Sequence, residues 1–163
     1  MAIASTDILF YYPAVTAEGV GHGGTSTASV IGTTKNALFD DVSGAEANAG
    51  TTDYRKLFIG LASGVSTQIL SNCVIWIAST TPATNEEIQI ITGTVLDSTF
   101  GTNVQSDVTG NTKWATPVAK SDGGTVGVVG SGTAVGIWLR RCVTSGAAGY
   151  ADDACTIRIE GEA

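Results

Sequence analysis

The run Ala134-Val-Gly-Ile-Trp-Leu-Arg-Arg-Cys-Val143, a Gly/Ala-rich break, and the run Ala154-Cys-Thr-Ile-Arg-Ile-Glu160 lie at the end of the chain. In the second run Cys155, Ile157 and Ile159 fall on one side, and Thr156, Arg158 and Glu160 on the other. A period of two is the signature of a half-buried strand. In the first run Val135, Ile137 and Leu139 alternate with Gly136, Trp138 and Arg140. The pieces between, Ser145-Gly146-Ala147-Ala148-Gly149 and Asp152-Asp153, are turn formers. The reading is a long hairpin, or two neighbouring strands, closing the core of a β domain. Arg140 and Arg141, adjacent on a strand, point to opposite faces and make no basic patch.

The rest of the chain agrees. Its 163 residues suit one domain, with 43% hydrophobic side chains, only 14% charged and 21 glycines. Few Lys and Glu and many Thr and Val favour strands over helices. Tyr54–Ala62, Ile69–Ser79 and Glu87–Ile91 read as further strands, with Pro82 ending the second, and Val126–Gly130 reads as another strand or a turn. Ser43-x-x-Glu46 has the spacing of a capping box and Gly50 that of a stop, so one short helical turn is expected there. Residues 92–125 are polar with weak β character around Val95, Phe100, Val104, Val108 and Trp114. The fold expected is all-β, a single β-sandwich of jelly-roll or immunoglobulin-like type.

Near the start, Ile8-Leu-Phe-Tyr-Tyr12 precedes Pro13, and both of its faces are large and apolar. Such a cluster is either the first strand of the sheet or an arm that docks on a neighbouring subunit. The domain reading takes residues 1–24 as an extended N-terminal arm with a Gly-rich loop, and residues 25–163 as the sandwich. Residues 17–37, rich in Gly, Thr and Ser, read as a loop. The N-terminus lacks a basic n-region, and Ile8–Tyr12 is too short for a signal h-region or a membrane span. The expectation is a protein made in a cytoplasm and kept there unless a larger assembly carries it out.

Several patterns invite a chemical reading. Gly19-x-Gly21-x-x-Gly24 has dinucleotide-binding spacing but neither the strand before it nor the helix after it. His22, the single histidine, sits between glycines and reads as a surface residue. Asp40-Asp41, Asp53 and Asp152-Asp153 offer oxygen ligands for Ca²⁺, yet no D-x-D-x-D-G loop exists, and turn-capping or solvated charge is the plainer reading. Glu86 and Glu87 are adjacent and would point apart on a strand. Cys73, Cys142 and Cys155 form no CxxC and read as reduced thiols, although Cys142 and Cys155 could pair if their strands are neighbours. Tyr54-Arg55 and Trp138-x-Arg140-Arg141 combine the residue types of interface anchors, or of side chains that snorkel on an outer face. A net charge of -7 disfavours nucleic acid. No cofactor, metal or catalytic set is expected. The low charge density has two explanations, association with copies or partners and a merely Thr/Ser-rich surface.

Five stretches, in order, carry a resemblance. They are Ile3–Tyr12; Leu38-Phe-Asp-Asp-Val-Ser-Gly-Ala-Glu-Ala-Asn-Ala-Gly-Thr-Thr-Asp-Tyr-Arg55; Val74-Ile-Trp-Ile-Ala-Ser79 with Thr81-Pro82; Ile137-Trp-Leu-Arg-Arg141; and Tyr150-Ala-Asp-Asp153 with Ile157-Arg-Ile-Glu-Gly161. Together they resemble small virion structural proteins of tailed bacteriophages. Residues 92–130 match poorly. The resemblance implies a non-enzymatic particle component, most simply a decoration or cement protein on the head. Its partners would be the major capsid protein and copies of itself, as a dimer or trimer on a symmetry axis. Ile8, Leu9, Phe10, Tyr11, Tyr12, Pro13, Trp138 and Arg140 are the residues expected at capsid or oligomer contacts. The alternatives are a tail or neck component, or a host-surface glycan-binding module using the 92–130 loops. A virion hydrolase would need a carboxylate pair across a cleft, and the sequence identifies none.

Overall fold

A computed structural model describes residues 3–64, 68–91, 104–149 and 153–163. Among them nine strands follow in order: β1 (Ile8–Val15), β2 (Gly23–Val30), β3 (Thr51–Leu61), β4 (Ile69–Ser79), β5 (Glu86–Ile91), β6 (Trp114–Ala115), β7 (Gly124–Gly130), β8 (Ala134–Val143) and β9 (Thr156–Glu162). Two short helices, α1 (Gly44–Ala49) and α2 (Gln105–Val108), and two 3-10 turns complete the set. A six-stranded sheet runs β2-β1-β3-β8-β5-β6 and a three-stranded one β7-β4-β9, with every pairing antiparallel. This is the all-β sandwich that the alternation demands, divided less evenly than the four-and-three of an immunoglobulin domain.

β3 and β8 form the spine of the large sheet, in register from Thr51 opposite Val143 to Gly60 opposite Ala134. Their inward positions, Leu57, Ile59 and Leu61 with Val135, Ile137 and Leu139, are buried against Leu70, Cys73, Ile75 and Ile77 of β4. Ile88 and Ile90 of β5 and Val126 and Val129 of β7 complete this core. Each such side chain contributes roughly 1.5–3 kcal/mol on burial, which sets the registers of both sheets. β4 carries an extra residue between Leu70 and Cys73, with Asn72 left-handed at φ 51°. β9 approaches closely there because position 161 is glycine: a Cβ would lie 2.7 Å from Leu70 Cγ and 2.8 Å from Cys73 Sγ.

Four expectations change. The two C-terminal runs are strands, but not neighbours: β8 lies in the large sheet and β9 in the small one. Alternation shows which side chains are buried, not which sheet buries them. Residues 8–15 form β1, hydrogen-bonded between β2 and β3. The leading segment is thus the first strand rather than an arm, since its backbone finds a full ladder along Phe58–Leu61. The expected boundary at residue 24 falls inside β2, a strand where a loop was expected. Cutting at residue 24 would strip β3 of a partner. The short helical turn forms as expected, with Ser43 Oγ accepting from Glu46 N–H at 3.3 Å and Glu46 Oε2 from Ser43 N–H at 2.7 Å. Of the 92–125 stretch, Val95 and Phe100 lie outside the described residues, as do Tyr150 and Asp152.

Candidate functional site

Toward the Thr51–Val143 end, the inner face of the large sheet changes from apolar to charged. Arg55 precedes Leu57 in the inward series and Arg141 follows Leu139, and both are buried. Arg141 donates to Asp53 Oδ2 from Nε (3.0 Å) and Nη2 (2.7 Å), and from Nη1 to the Asp40 carbonyl (2.6 Å). Arg55 donates from Nε to the Leu38 carbonyl and from Nη1 to the Tyr54 carbonyl, both at 3.0 Å, and reaches the Glu18 carboxylate with Nη2. Asp40 Oδ1 is shared, 3.3 Å from Arg55 Nη2 and 3.5 Å from Arg141 Nη2. Asp40 and Asp53, read from the sequence as solvated turn carboxylates, are therefore partners of buried arginines. The arginines clasp the Leu38-Phe39-Asp40 segment against the sheet through charge-assisted hydrogen bonds to the Leu38 and Asp40 carbonyls and the Asp40 carboxylate.

The opposite face of the same strands carries Tyr54, Lys56 and Phe58 from β3 and Trp138 and Arg140 from β8. Tyr54, Trp138, Ile91, Val108 and Trp114 form a second core. His22 lies against it, its ring 5.9 Å from that of Trp138. It is 2% exposed, so the expected surface histidine is corrected. Its Nε2 accepts the Lys56 backbone N–H at 3.0 Å. That acceptor role suits a neutral ring. Burial first, then the Arg55 charge, hold its pKa below the ordinary value, against the opposing pull of the Thr16 and Ala17 carbonyls and Glu18. Lys56, fully buried, donates from Nζ to the Gly24 carbonyl at 3.0 Å and lies 4.9 Å from the Phe58 ring centroid. The His22 carbonyl accepts from Gln105 N–H (2.8 Å) and that of Val20 from Ser106 N–H (3.2 Å), so this turn ties α2 to the sheet.

The residues expected at capsid or oligomer contacts are scattered by these two faces. Ile8 and Phe10 pack on the main core. Leu9 stands opposite Gly60 and Tyr11 opposite Phe58, while the Tyr12 hydroxyl donates to the Ala37 carbonyl at 2.6 Å. Pro13 is buried, and Trp138 is 1% exposed. Neither offers a partner an exposed side chain, which corrects the expectation for both; for Trp138 the reason is the cover formed by His22 and α2, which was not legible. Arg140 is half-buried, 4.9 Å above the Trp114 ring and bonded to Gln89.

Glu86 and Glu87 point apart, as their adjacency requires. Glu86 faces Asp153, which accepts from the Thr81 hydroxyl at Oδ1. Burial, then the Asp153 carboxylate, push the Glu86 carboxyl up to about 7. The pair borders a groove of about 970 Å³ lined by Ile31, Phe39, Ile88, Arg141, Asp153 and Ile157 among others. Cys155, also in its wall, is pushed up to about 11 by burial and then by Glu86 and Asp153, so at neutral pH it is a thiol and a poor nucleophile. Cys142 lies in the other sheet and all three thiols are free, so the conditional Cys142–Cys155 pairing has no basis. Among the described residues no group of three His, Cys, Asp or Glu side chains is placed to hold a metal ion, and no helix is long and apolar enough to cross a membrane.

Sequence reasoning missed His22, Lys56 and the arginine clasp. For Lys56 a signal existed: it shares a strand face with Tyr54 and Phe58, so burial of that face would bury it too. No protein-family model matches the chain, and no similar curated protein or solved structure was found.

Proposed function

We propose that this chain is a non-enzymatic structural protein of a tailed-phage virion, made in the host cytoplasm. On this reading it is a decoration or cement protein bound to the major capsid protein on the outer surface of the head, and it acts as a homo-oligomer. The observation that carries the reading is where the resembling residues lie. Phe39, Asp40, Asp53, Arg55 and Arg141 meet in one clasp. Ser43 and Glu46 cap the helix beside it, and Ile137 and Leu139 fill the core. These positions are spent on holding a sandwich rigid, which is the requirement on a building block rather than on a reaction centre. A bridging protein gains most when one rigid surface is used repeatedly about a symmetry axis.

The test is to add purified protein to heads that lack it and measure copies bound and the temperature at which heads release DNA. Binding in the hundreds of copies with a raised release temperature is expected; about a dozen copies would place the chain at a neck or tail symmetry axis instead. Absence from purified particles, with no binding to heads or tails, overturns the reading.

A further inference from the structure

Among the described residues the large sheet ends on β2, which Val104 bridges at Gly23 and which is otherwise an unguarded edge. Native sheets protect such edges with charge, proline or very short strands. β6 at the opposite edge is two residues long, and β9 at one edge of the small sheet carries Arg158, Glu160 and Glu162 on its outer face. β2 reads Gly-Gly-Thr-Ser-Thr-Ala-Ser-Val, with no charge and no proline, and is exposed over most of its length. From Gly19 to Thr34 the single ionisable group is the buried His22. Exposed valines flank the strand: Val20 is 73% exposed before it and Val30 47% at its end, with Val15 at 43% on the adjacent β1.

We propose that β2 is the dimerisation edge of this protein, pairing antiparallel with β2 of a second copy about a two-fold axis. Three features select a copy of this chain over a foreign strand. With a net charge of -7, two copies repel over most approaches, and this uncharged stretch is a place where they meet without opposing carboxylates. Register shifts against β1 between Tyr11 and Val15 twist β2. A twisted edge is matched best by an edge with the same twist. Antiparallel pairing is also self-complementary, so one edge serves both copies. Centred on Thr27, the pairing sets Ser26 opposite Ala28 and Thr25 opposite Ser29, so that each opposed pair shares a face of the joined sheet, and the exposed Val30 lies at the end of the paired stretch. Two six-stranded sheets then become one continuous sheet, with roughly one inter-chain backbone hydrogen bond per paired residue.

This deepens the homo-oligomer part of the proposed function by naming its surface, and it is tested on the isolated chain without any capsid. Sedimentation across a concentration series should give a dimer for the wild type. The double variant Ser26→Lys/Ala28→Lys puts lysines directly opposite lysines across the axis, and should weaken dimerisation at least about tenfold while leaving the melting temperature within a few degrees. Thr156→Lys, on β9, should leave the dimer unchanged. Hydrogen exchange of the wild type supplies a reading that needs no variant: the amides within Thr25–Val30 that point away from β1 should become more protected as concentration rises. A monomer at about 100 µM, a trimer, a folded double variant that still dimerises, or β2 protection independent of concentration would each overturn the proposal. Head binding by a protein that stays monomeric would refute the edge pairing while leaving the virion reading intact.

Discussion

The guanidinium groups of Arg55 and Arg141 lie over one ring, that of Phe39, at 5.4 and 5.1 Å from its centroid. The two arginines come from adjacent strands: Asp53 stands opposite Arg141, and Arg55 two residues further along β3. Two cations this close would repel, but Asp40 reaches both and Asp53 neutralises one. The ring face stabilises both further. The result fixes the loop before α1 onto the inner face of the large sheet, beside the start of β9.

Arg141 is the stronger half of this clasp, because Asp53 is nearly as buried as the arginine itself, their side chains being 11% and 6% exposed. Arg141→Ala strands the Asp53 carboxylate and should cost about 3–5 kcal/mol in urea unfolding. Arg55→Ala, whose partners Glu18 and Asp40 are both more than half exposed, should cost less. Equal losses would show that Arg141 is not the stronger half, and a loss below about 1 kcal/mol for Arg141→Ala would show that the clasp does not hold the fold.

How much of this was legible depends on the element. The faces of β3, β5 and β8 follow from alternation, down to Glu86 and Glu87 pointing apart and Arg140 and Arg141 dividing between faces. The partition into sheets does not follow, because Ile137 and Ile157 are equally inward whichever sheet holds them. β2 was hidden by composition: Gly-Gly-Thr-Ser-Thr-Ala-Ser-Val has few of the large β-branched residues that mark a half-buried strand. The burial of His22 was illegible for a different reason. Its cover comes from α2 and the strand pair β3–β8, all distant in sequence, and flanking glycines suggested mobility instead.

Glu86 sets one pH dependence. Its folded pKa, about 7, exceeds the 4.5 of a free glutamate, so the folded state holds the proton more tightly. The associated stability is fully present below pH 4.5 and is lost as pH rises through 7. Because the group is only partly buried, solvent screening reduces the loss to on the order of 1 kcal/mol. Glu86→Gln should remove this slope from urea-unfolding free energies measured between pH 4.5 and 7.5. A slope unchanged in the variant would assign it elsewhere.

The thiols should report burial rather than pairing. Burial raises the pKa of Cys73, Cys142 and Cys155, the last to about 11. Reaction with a disulfide reagent at pH 8 should therefore be slow in the folded protein and reach three equivalents on unfolding, without reductant. One equivalent after unfolding would mean that two of the cysteines are joined.

His22 gives the opposite pH dependence and ties it to a particular movement. Its ring is held neutral, with a folded pKa below 6.5, so the stability it provides is complete above pH 6.5 and is lost as pH falls toward that lower value. Protonation places a donor where the Lys56 N–H needs an acceptor, and puts a cation beside Lys56 and Arg55. The turn that His22 anchors also holds Gln105 and Ser106, so the first consequence should be release of α2. In the Glu86→Gln background, which removes the competing slope, the protection of the Gln105–Val108 amides relative to their intrinsic exchange rates should fall as pH drops below 6.5, before that of the β3 and β8 amides does. His22→Ala should show fast α2 exchange already at pH 7.5 and lose about 1–3 kcal/mol, because a buried N–H is left without its acceptor. Exchange of α2 that tracks global unfolding at every pH would mean that His22 fills space without latching the cover.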